Sequence, residues 1–343
     1  MSRFRLLTPD AQYPDDAEIE RHTAGADVDW DIFREREPGN IPAEAWAGAD
    51  AIVVWHEMKV DGALLDRLPR CRIIVRAGVG FDHIDLEAAA ERGIPVANTP
   101  DYGTSEVADH AMGLMLALRR GIVSYHQHLV ASPQRGFDYA LAPLVSRLRG
   151  RTFGIIGLGR IGTATALRAR AFGMHVAAYD PLVSRGTEIA VGVERKESLA
   201  ELLAMSDVVS IHCPLTPETR NMINAQTLRQ MRHEAILINT ARGAIVDTDA
   251  LIEALRIGVI AGAGIDVLPT EPPRVDDELM RAYAGRSEQL VGDRLIVTPH
   301  AAWSSPESVA DARRLAVETA MIYLRDGKLR NLVNAPHGKV RAA

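Results

Sequence analysis

Phe153-Gly154-Ile155-Ile156-Gly157-Leu158-Gly159-Arg160-Ile161-Gly162 is the stretch on which the fold turns. An apolar run that ends in Gly-x-Gly-x-x-Gly and opens into the helical pattern Thr163 to Phe172 reads as strand, tight turn and helix. In such a turn Gly157 permits the bend, Gly159 admits backbone amides to a pyrophosphate, and Gly162 lets helix and strand pack closely. Arg160 and Ile161 complete the loop. Alone, the pattern also occurs as a plain tight turn, so the next strand matters. It starts at His175 and ends at Asp180, 18 residues after Gly162, close to the ~20 expected for a carboxylate that binds adenosine ribose hydroxyls. That carboxylate repels a 2′-phosphate, and Pro181 and Leu182 follow it with no adjacent arginine. NAD(H) is therefore favoured over NADP, with Arg185 the only nearby cation arguing otherwise. The plainer reading of Asp180 is a turn carboxylate ahead of Pro181.

Working outward, Val208 to His212, Ala235 to Thr240, Ala261 to Asp266 and Leu295 to His300 repeat the form of an apolar run that stops at a polar residue. With Thr152 to Gly157 and His175 to Asp180 they make six strands separated by helical stretches, a doubly wound parallel sheet. Asp180, His212, Thr240, Asp266 and His300 all fall at strand ends. In such a sheet the carboxyl ends face the ligand crevice, so these side chains are expected to converge on one bound molecule. Upstream, Arg3 to Leu7, Ala51 to Trp55, Arg72 to Val75 and Pro95 to Asn98 alternate with helical segments such as Gly62 to Leu68 and Asp85 to Arg92, a second βα repeat. Between the two, Thr104-Ser105-Glu106 opens a helix with a hydroxyl cap, Val107, Ala111, Leu114, Met115 and Leu118 share its apolar face, and Arg119-Arg120-Gly121 closes it. Residues 121 to 149 show no clean period and read as an excursion or contact arm. A last helix is expected over Pro306 to Arg325, with Gly327 as its stop.

Composition agrees with a globular, two-domain chain: 343 residues, 47% hydrophobic and 24% charged. A net charge of −6 leaves no basic field for nucleic acid or an anionic membrane. Cys71 and Cys213 stand alone without metal-ligand spacing, which fits a reducing compartment and no metal site. No apolar run approaches the ~18 residues of a membrane span, and Pro9 and Asp10 interrupt the N-terminal apolar stretch before a signal segment forms. The expected location is cytoplasmic.

Three titratable groups carry chemistry. Asn239-Thr240-Ala241-Arg242-Gly243 sets an arginine just past a buried strand, Asp266-Val267-Leu268-Pro269-Thr270-Glu271-Pro272 sets a carboxylate in a proline-stiffened loop, and Thr298-Pro299-His300 sets an imidazole at a strand end. A nicotinamide enzyme acting on a 2-oxo acid needs these types: a planar guanidinium for the carboxylate, an imidazolium to protonate the developing alkoxide, and a carboxylate to hold that imidazole charged. Taken singly, each also reads as a surface ion pair, a solvated loop residue or a core histidine.

Together these segments, with Val75-Arg76-Ala77-Gly78-Val79-Gly80-Phe81-Asp82, Gly264-Ile265-Asp266-Val267 and His300-Ala301-Ala302-Trp303, resemble the D-isomer-specific 2-hydroxyacid dehydrogenases from about Ala51 to Asn334. Within that family the likeness is greatest to the C-terminal binding proteins, NADH-binding corepressors, and bacterial dehydrogenases similar to them. The resemblance implies catalytic Arg242, Glu271 and His300, with His300 the proton donor. It implies a dinucleotide held by the glycine-rich turn, Asp180, His212, Thr240, Ala241, Arg242, Asp266, His300, Trp303 and Thr104, with the nicotinamide near Asp266. Substrate would meet Gly78, Val79, Arg242, His300 and Trp303. His56 either reaches the substrate or caps its strand, and Trp303 either lines the substrate's side or packs between domains; a bulky indole disfavours long phosphorylated substrates.

The implied architecture is α/β, two Rossmann-like or flavodoxin-like domains with parallel sheets. A cofactor domain over 105–304 is inserted into a discontinuous substrate domain of 1–104 plus 305–343. The expected partner is a small 2-oxo or 2-hydroxy acid, and the expected assembly a homodimer through the cofactor domains with 121–149 as its arm. The rival is an NADH-responsive binding protein of the corepressor type, which would carry long tails. The first strand begins by Arg3 and the chain ends 16 residues after Gly327, so the compact enzyme is favoured.

Overall fold

The computed structural model describes residues 3–26, 28–284 and 293–336; the last part of the tail, 337–343, lies outside them. The chain divides into two compact units, 1–103 with 304–343 and 104–303.

In the first unit, β1 (Phe4–Thr8), β2 (Val28–Ile32), β3 (Ala51–Val54), β4 (Ile73–Arg76) and β5 (Val96–Ala97) form one parallel sheet in the order β2-β1-β3-β4-β5. This is the 2-1-3-4-5 order of flavodoxin-like folds. β3 and β4 are buried along their whole length, Arg76 at the end of β4 included, as strands covered on both faces must be. Leu7, Ile52, Val54, Ile74, Trp46 and Leu65 share one core beneath the sheet. Each such buried Leu or Ile contributes roughly 1.5–3 kcal/mol of transfer free energy.

Helix Pro306–Asp326 completes this unit. Ser305 and Ser308 form a reciprocal capping box at its start, Pro306 occupies its first turn, and Gly327 ends it at φ 68°. Arg313, 5% exposed, anchors the helix by paired bonds to Glu20 (2.7 and 2.8 Å) and Asp15 (2.6 and 2.7 Å) and lies 3.8 Å from the centre of the Tyr13 ring. A guanidinium buried this deeply is tolerable because two carboxylates neutralise it.

The second unit holds β6 (Thr152–Ile156), β7 (His175–Tyr179), β8 (Glu194–Arg195), β9 (Val208–Ile211), β10 (Ile236–Asn239), β11 (Gly262–Ile265) and β12 (Leu295–Val297), all parallel, in the order β12-β11-β10-β9-β6-β7-β8. Six strands were expected here; β8, a two-residue edge, is the seventh. Alternate residues feed two cores: Leu237, Val209 and Ile211 on one face, Ile236, Ile238 and Phe153 on the other. On the second face helix Thr104–Arg119 lies close against the sheet, because a Cβ on Gly264 would stand 3.0 Å from that of Leu114.

Three local expectations need correcting. Thr104 begins its helix, but its hydroxyl caps nothing: Oγ1 is buried with no partner among the described residues. Arg119 does stand in the last turn as a cation, but a buried one: it donates to Asp207 O (2.8 Å) and Glu234 O (2.6 Å), tying the helix end to two loops. Residues 121–149 contain a real helix, Ile122–Ala131, which buries only Ser124 and so shows no amphipathic stripe. Among the described residues, no helix is long and apolar enough to cross a membrane.

Candidate active site

The glycine-rich turn leaves β6 as its sequence requires. Gly157 has φ 93°, and a Cβ there would stand 2.6 Å from Cys213 N; one on Gly162 would stand 2.0 Å from Gly157 O. Around Gly159 nothing lies within 4 Å of the missing Cβ, and the next residue, Arg160, opens helix Arg160–Ala171. Open space at a helix N-terminus, with unsatisfied amides and the positive end of the dipole, suits a pyrophosphate.

Asp180 follows β7. Its Oδ2 accepts from Leu158 N (2.8 Å) in the glycine-rich turn, while Oδ1 accepts from Leu182 N (2.9 Å) and Val183 N (3.1 Å). One carboxylate thus ties two neighbouring turns together. Arg195 braces this loop from β8 by bonds to Asp180 O and Val183 O, both 3.3 Å. Arg185 is turned to Glu197 at 3.0 and 3.1 Å.

Further along the same sheet edge, His212 follows β9 and Thr240 follows β10. Burial pushes the His212 imidazole down to about 3, so it is neutral, and its Nε2 meets Ser210 Oγ at 2.8 Å. His212 Nδ1 and Thr240 Oγ1, like Thr104 Oγ1, are enclosed without a hydrogen-bond partner among the described residues. Orphaned polar atoms at the carboxyl edge beside an open helix N-terminus fit a bound dinucleotide that would satisfy them.

The candidate acid–base groups follow β10, β11 and β12. Past β10, Asn239 folds the turn by donating to Arg242 O (2.9 Å) and accepting from Ala241 N (3.0 Å), and Arg242 Nη1 donates to Ala241 O (2.7 Å). Gly243 lets this turn press against the next loop: a Cβ there would stand 1.9 Å from Leu268 C. In that loop Glu271 Oε1 accepts from Leu268 N (2.8 Å), which aims Oε2 at His300 Nδ1, 2.6 Å away. Both side chains keep partial exposure, 24% for His300 and 30% for Glu271.

His300 sits three residues past β12 at φ 51°, a left-handed conformation unusual outside glycine. Asp266, with a fully buried side chain, holds it there. Its backbone oxygen accepts from His300 N (2.7 Å), Oδ1 from Ala301 N (2.9 Å) and Thr298 Oγ1 (2.5 Å), and Oδ2 from Ala302 N (3.0 Å). The five strand-end residues do line one edge, but they divide the work: Asp266 is committed to shaping the His300 loop.

The remaining candidates are placed as follows. Trp303 is half-buried at the end of the second unit. Gly78 and Val79 form the turn after β4 in the first unit. Arg76 Nε, Asn98 Nδ2 and Thr99 N hold the carbonyls of Gly80, Val79 and Gly78, while the amides of Val79 and Gly80 make no hydrogen bond among the described residues. His56 lies in a loop wrapped around Asp10, whose carboxylate accepts from Trp55 N, Glu57 N and Met58 N, and its Nε2 is 3.4 Å from Gln12 Nε2. Sequence reading missed Arg195 and His110, whose Nε2 lies 3.0 Å from Thr298 Oγ1; both act through partners distant in the chain.

Comparison with known proteins agrees with this geometry. Residues 112–302 match the family model for the D-isomer specific 2-hydroxyacid dehydrogenase NAD binding domain. The chain is 39% identical over 289 residues to a D-3-phosphoglycerate dehydrogenase of Methanocaldococcus jannaschii, covering 84% of this chain and about half, 52%, of that longer protein. It is 36% identical to a glyoxylate reductase of Korarchaeum cryptofilum, over 95% of this chain and 94% of the relative. Among solved structures it is similar to an NADPH-dependent glyoxylate/hydroxypyruvate reductase from Sinorhizobium meliloti, crystallised with NADP and malonate, with a TM-score of 0.84, 31% identity and full coverage of both chains. A parallel sheet ending in a glycine-rich turn, a histidine paired with a glutamate beside an arginine turn, and matches of this extent lead to one conclusion: the chain belongs to the D-isomer-specific 2-hydroxyacid dehydrogenase family.

Proposed function

We propose that the protein interconverts a small, unphosphorylated 2-oxo acid and its D-2-hydroxy acid with NAD(H), His300 serving as acid and base. The observation that carries this reading is the 2.6 Å His300–Glu271 pair. Glu271 accepts the Nδ1 proton, which fixes the ring and leaves Nε2 to give a proton to the carbonyl oxygen or to take it back. Arg242 grips the substrate carboxylate and polarises the carbonyl, and Trp303 lines the substrate's side. The dinucleotide, when bound, supplies or accepts the hydride. Gly157, Gly159, Gly162 and the amides of Arg160 and Ile161 would hold its pyrophosphate, Asp180 its ribose, and His212, Thr240, Ala241 and Thr104 its remaining polar groups.

The test is NADH consumption by purified protein against 2-oxo acids graded by size and charge, glyoxylate and hydroxypyruvate included, with NADPH in parallel. Turnover on one member identifies the side chain accepted beside Trp303. No turnover on any member, with tight NADH binding, would favour the NADH-responsive binding protein instead.

Asp180 carries the preference for NADH over NADPH, since its charge opposes a 2′-phosphate and Arg185 is engaged by Glu197. Asp180→Asn keeps an acceptor for Leu158 N and removes the charge. The NADPH-to-NADH ratio of kcat/KM should rise at least about tenfold, because a like-charge juxtaposition costs several kcal/mol; an unchanged ratio would remove Asp180 from the ribose site.

Two copies pairing through residues 122–145 is the assembly this reading favours, because Ile122, Val130, Phe137 and Tyr139 expose 58 to 90% of their surface there. Sedimentation equilibrium should give a dimer, and a monomer at micromolar concentration would discard the pairing.

A further inference from the structure

His110 projects from helix Thr104–Arg119 at a distance of 190 positions from the catalytic histidine in the chain, yet its ring ends two hydrogen bonds from the carboxylate that shapes the His300 loop. Its Nε2 lies 3.0 Å from Thr298 Oγ1 and 3.6 Å from Asp266 Oδ1. The Thr298 hydroxyl has a single proton, and the carboxylate 2.5 Å away can only accept it. Thr298 therefore receives a hydrogen bond from His110, whose Nε2 is the donor. Asp266 Oδ1 then takes the Thr298 proton and Ala301 N, Oδ2 takes Ala302 N, and the Asp266 carbonyl takes His300 N.

We propose that His110 is a positioning residue for the catalytic histidine, acting through Thr298 and Asp266 to hold the left-handed turn at His300. The inference rests on the acid–base role given to His300 above. A left-handed non-glycine residue persists only where its surroundings over-determine it, and here Asp266 alone accepts from four groups of the 298–302 hook: Thr298 Oγ1, His300 N, Ala301 N and Ala302 N. That carboxylate is wholly enclosed, so its orientation depends on having each oxygen satisfied. Without the His110 donor, the Thr298 hydroxyl is free to turn its proton elsewhere, and the tightest bond to Oδ1 is lost. The imidazole of His300 would then sample orientations in which Nε2 misses the substrate oxygen. Displacements on the scale of an ångström are enough to slow a reaction by orders of magnitude without altering binding.

The experiment compares wild type, His110→Leu and His110→Gln, the last able to present an amide donor near the position of Nε2. Turnover is counted per NADH-binding site, so loss of folded protein does not register as loss of rate. His110→Leu should lower kcat about tenfold or more while the KM for the 2-oxo acid and the Kd for NADH stay within about threefold, the split expected for an interaction used only in the transition state. His110→Gln should recover most of that loss. Should His110→Leu fail to fold, Thr298→Val with Thr298→Ser as its rescue repeats the comparison in a side chain of nearly constant shape. A folded His110→Leu or Thr298→Val enzyme with wild-type kcat overturns the proposal. An equal loss in a folded Thr298→Ser enzyme also overturns it, since the hydroxyl would then not be what matters. A readout independent of turnover separates this from the function itself: the ring carbon Cε1–H resonance of His300, assigned by its absence in His300→Gln, should move and broaden in His110→Leu. If wild type turns over no 2-oxo acid, the dehydrogenase reading fails, and the resonance alone decides the positioning role.

Discussion

His300→Ala should lower kcat by about 10²- to 10⁴-fold, the range that a positioned general acid contributes, while the Kd for NADH changes by less than about twofold. The two effects separate because the imidazole is held by Glu271 and the His300 backbone by Asp266, not by the glycine-rich turn or Asp180. Glu271, at 2.6 Å from Nδ1, then faces an empty volume, and no other residue of the Ala301–Trp303 stretch carries an exchangeable proton suited to the task. Single-turnover kinetics with saturating NADH, alongside a fluorescence titration of the cofactor, would check both halves. Equal loss of cofactor affinity and of turnover would assign His300 to cofactor binding.

Arg242→Lys is the second large effect expected. The charge survives, but the planar fork that can lie against a carboxylate in two parallel hydrogen bonds does not. The loss in kcat/KM for the 2-oxo acid should reach about 10²- to 10³-fold, comparable to removing a donor that stabilises developing negative charge. Asn239 holds the backbone of the turn independently of the side chain at 242, through bonds to Arg242 O and Ala241 N, so the substitution leaves the loop's path intact. Steady-state kinetics on the substrate found by the panel, with NADH titrated separately, would measure it. A lysine enzyme within threefold of wild type would show that a bare charge suffices and that the fork has no role.

Much of this site could be read before any coordinates because its information is local. Gly157 and Gly162 announce a turn whose geometry they alone permit, Gly159 leaves open space in it, and Asp180, His212, Thr240, Asp266 and His300 each stand where an apolar run stops. Buried parallel strands are legible for the same reason: β3 is apolar throughout, and β4, β9 and β10 carry one polar residue each in an otherwise apolar run. β2 escaped notice because it lies at an edge and reads Val28-Asp29-Trp30-Asp31-Ile32; its charges make sense only against Arg3, just ahead of the neighbouring strand, and Arg5 within it, at 3.0 and 2.7 Å. Helix Ile122–Ala131 hides because its apolar residues face outward. Arg119 looked like a terminal cation, and only the fold reveals that the carbonyls it reaches belong to Asp207 and Glu234. His110 gives no signal at all in sequence, since Thr298 and Asp266 meet it only after the seven-stranded sheet has been laid in order.

Arg313 and the helix it anchors also set the order in which the molecule can be made. Residues 104–303 are contiguous, so the second unit has its entire sheet available while the remainder of the chain is still being synthesised. The first unit has to wait: its five strands are complete by Ala97, but the helix whose Arg313 pairs with Glu20 is made last. A chain cut after Trp303 should therefore retain a protease-resistant core over 104–303 and yield rapid cleavage before Gly103. Equal resistance in both regions would show that the early strands can stand without the late helix. On this reading a nascent chain carries its finished dinucleotide fold while the unit encoded first remains open.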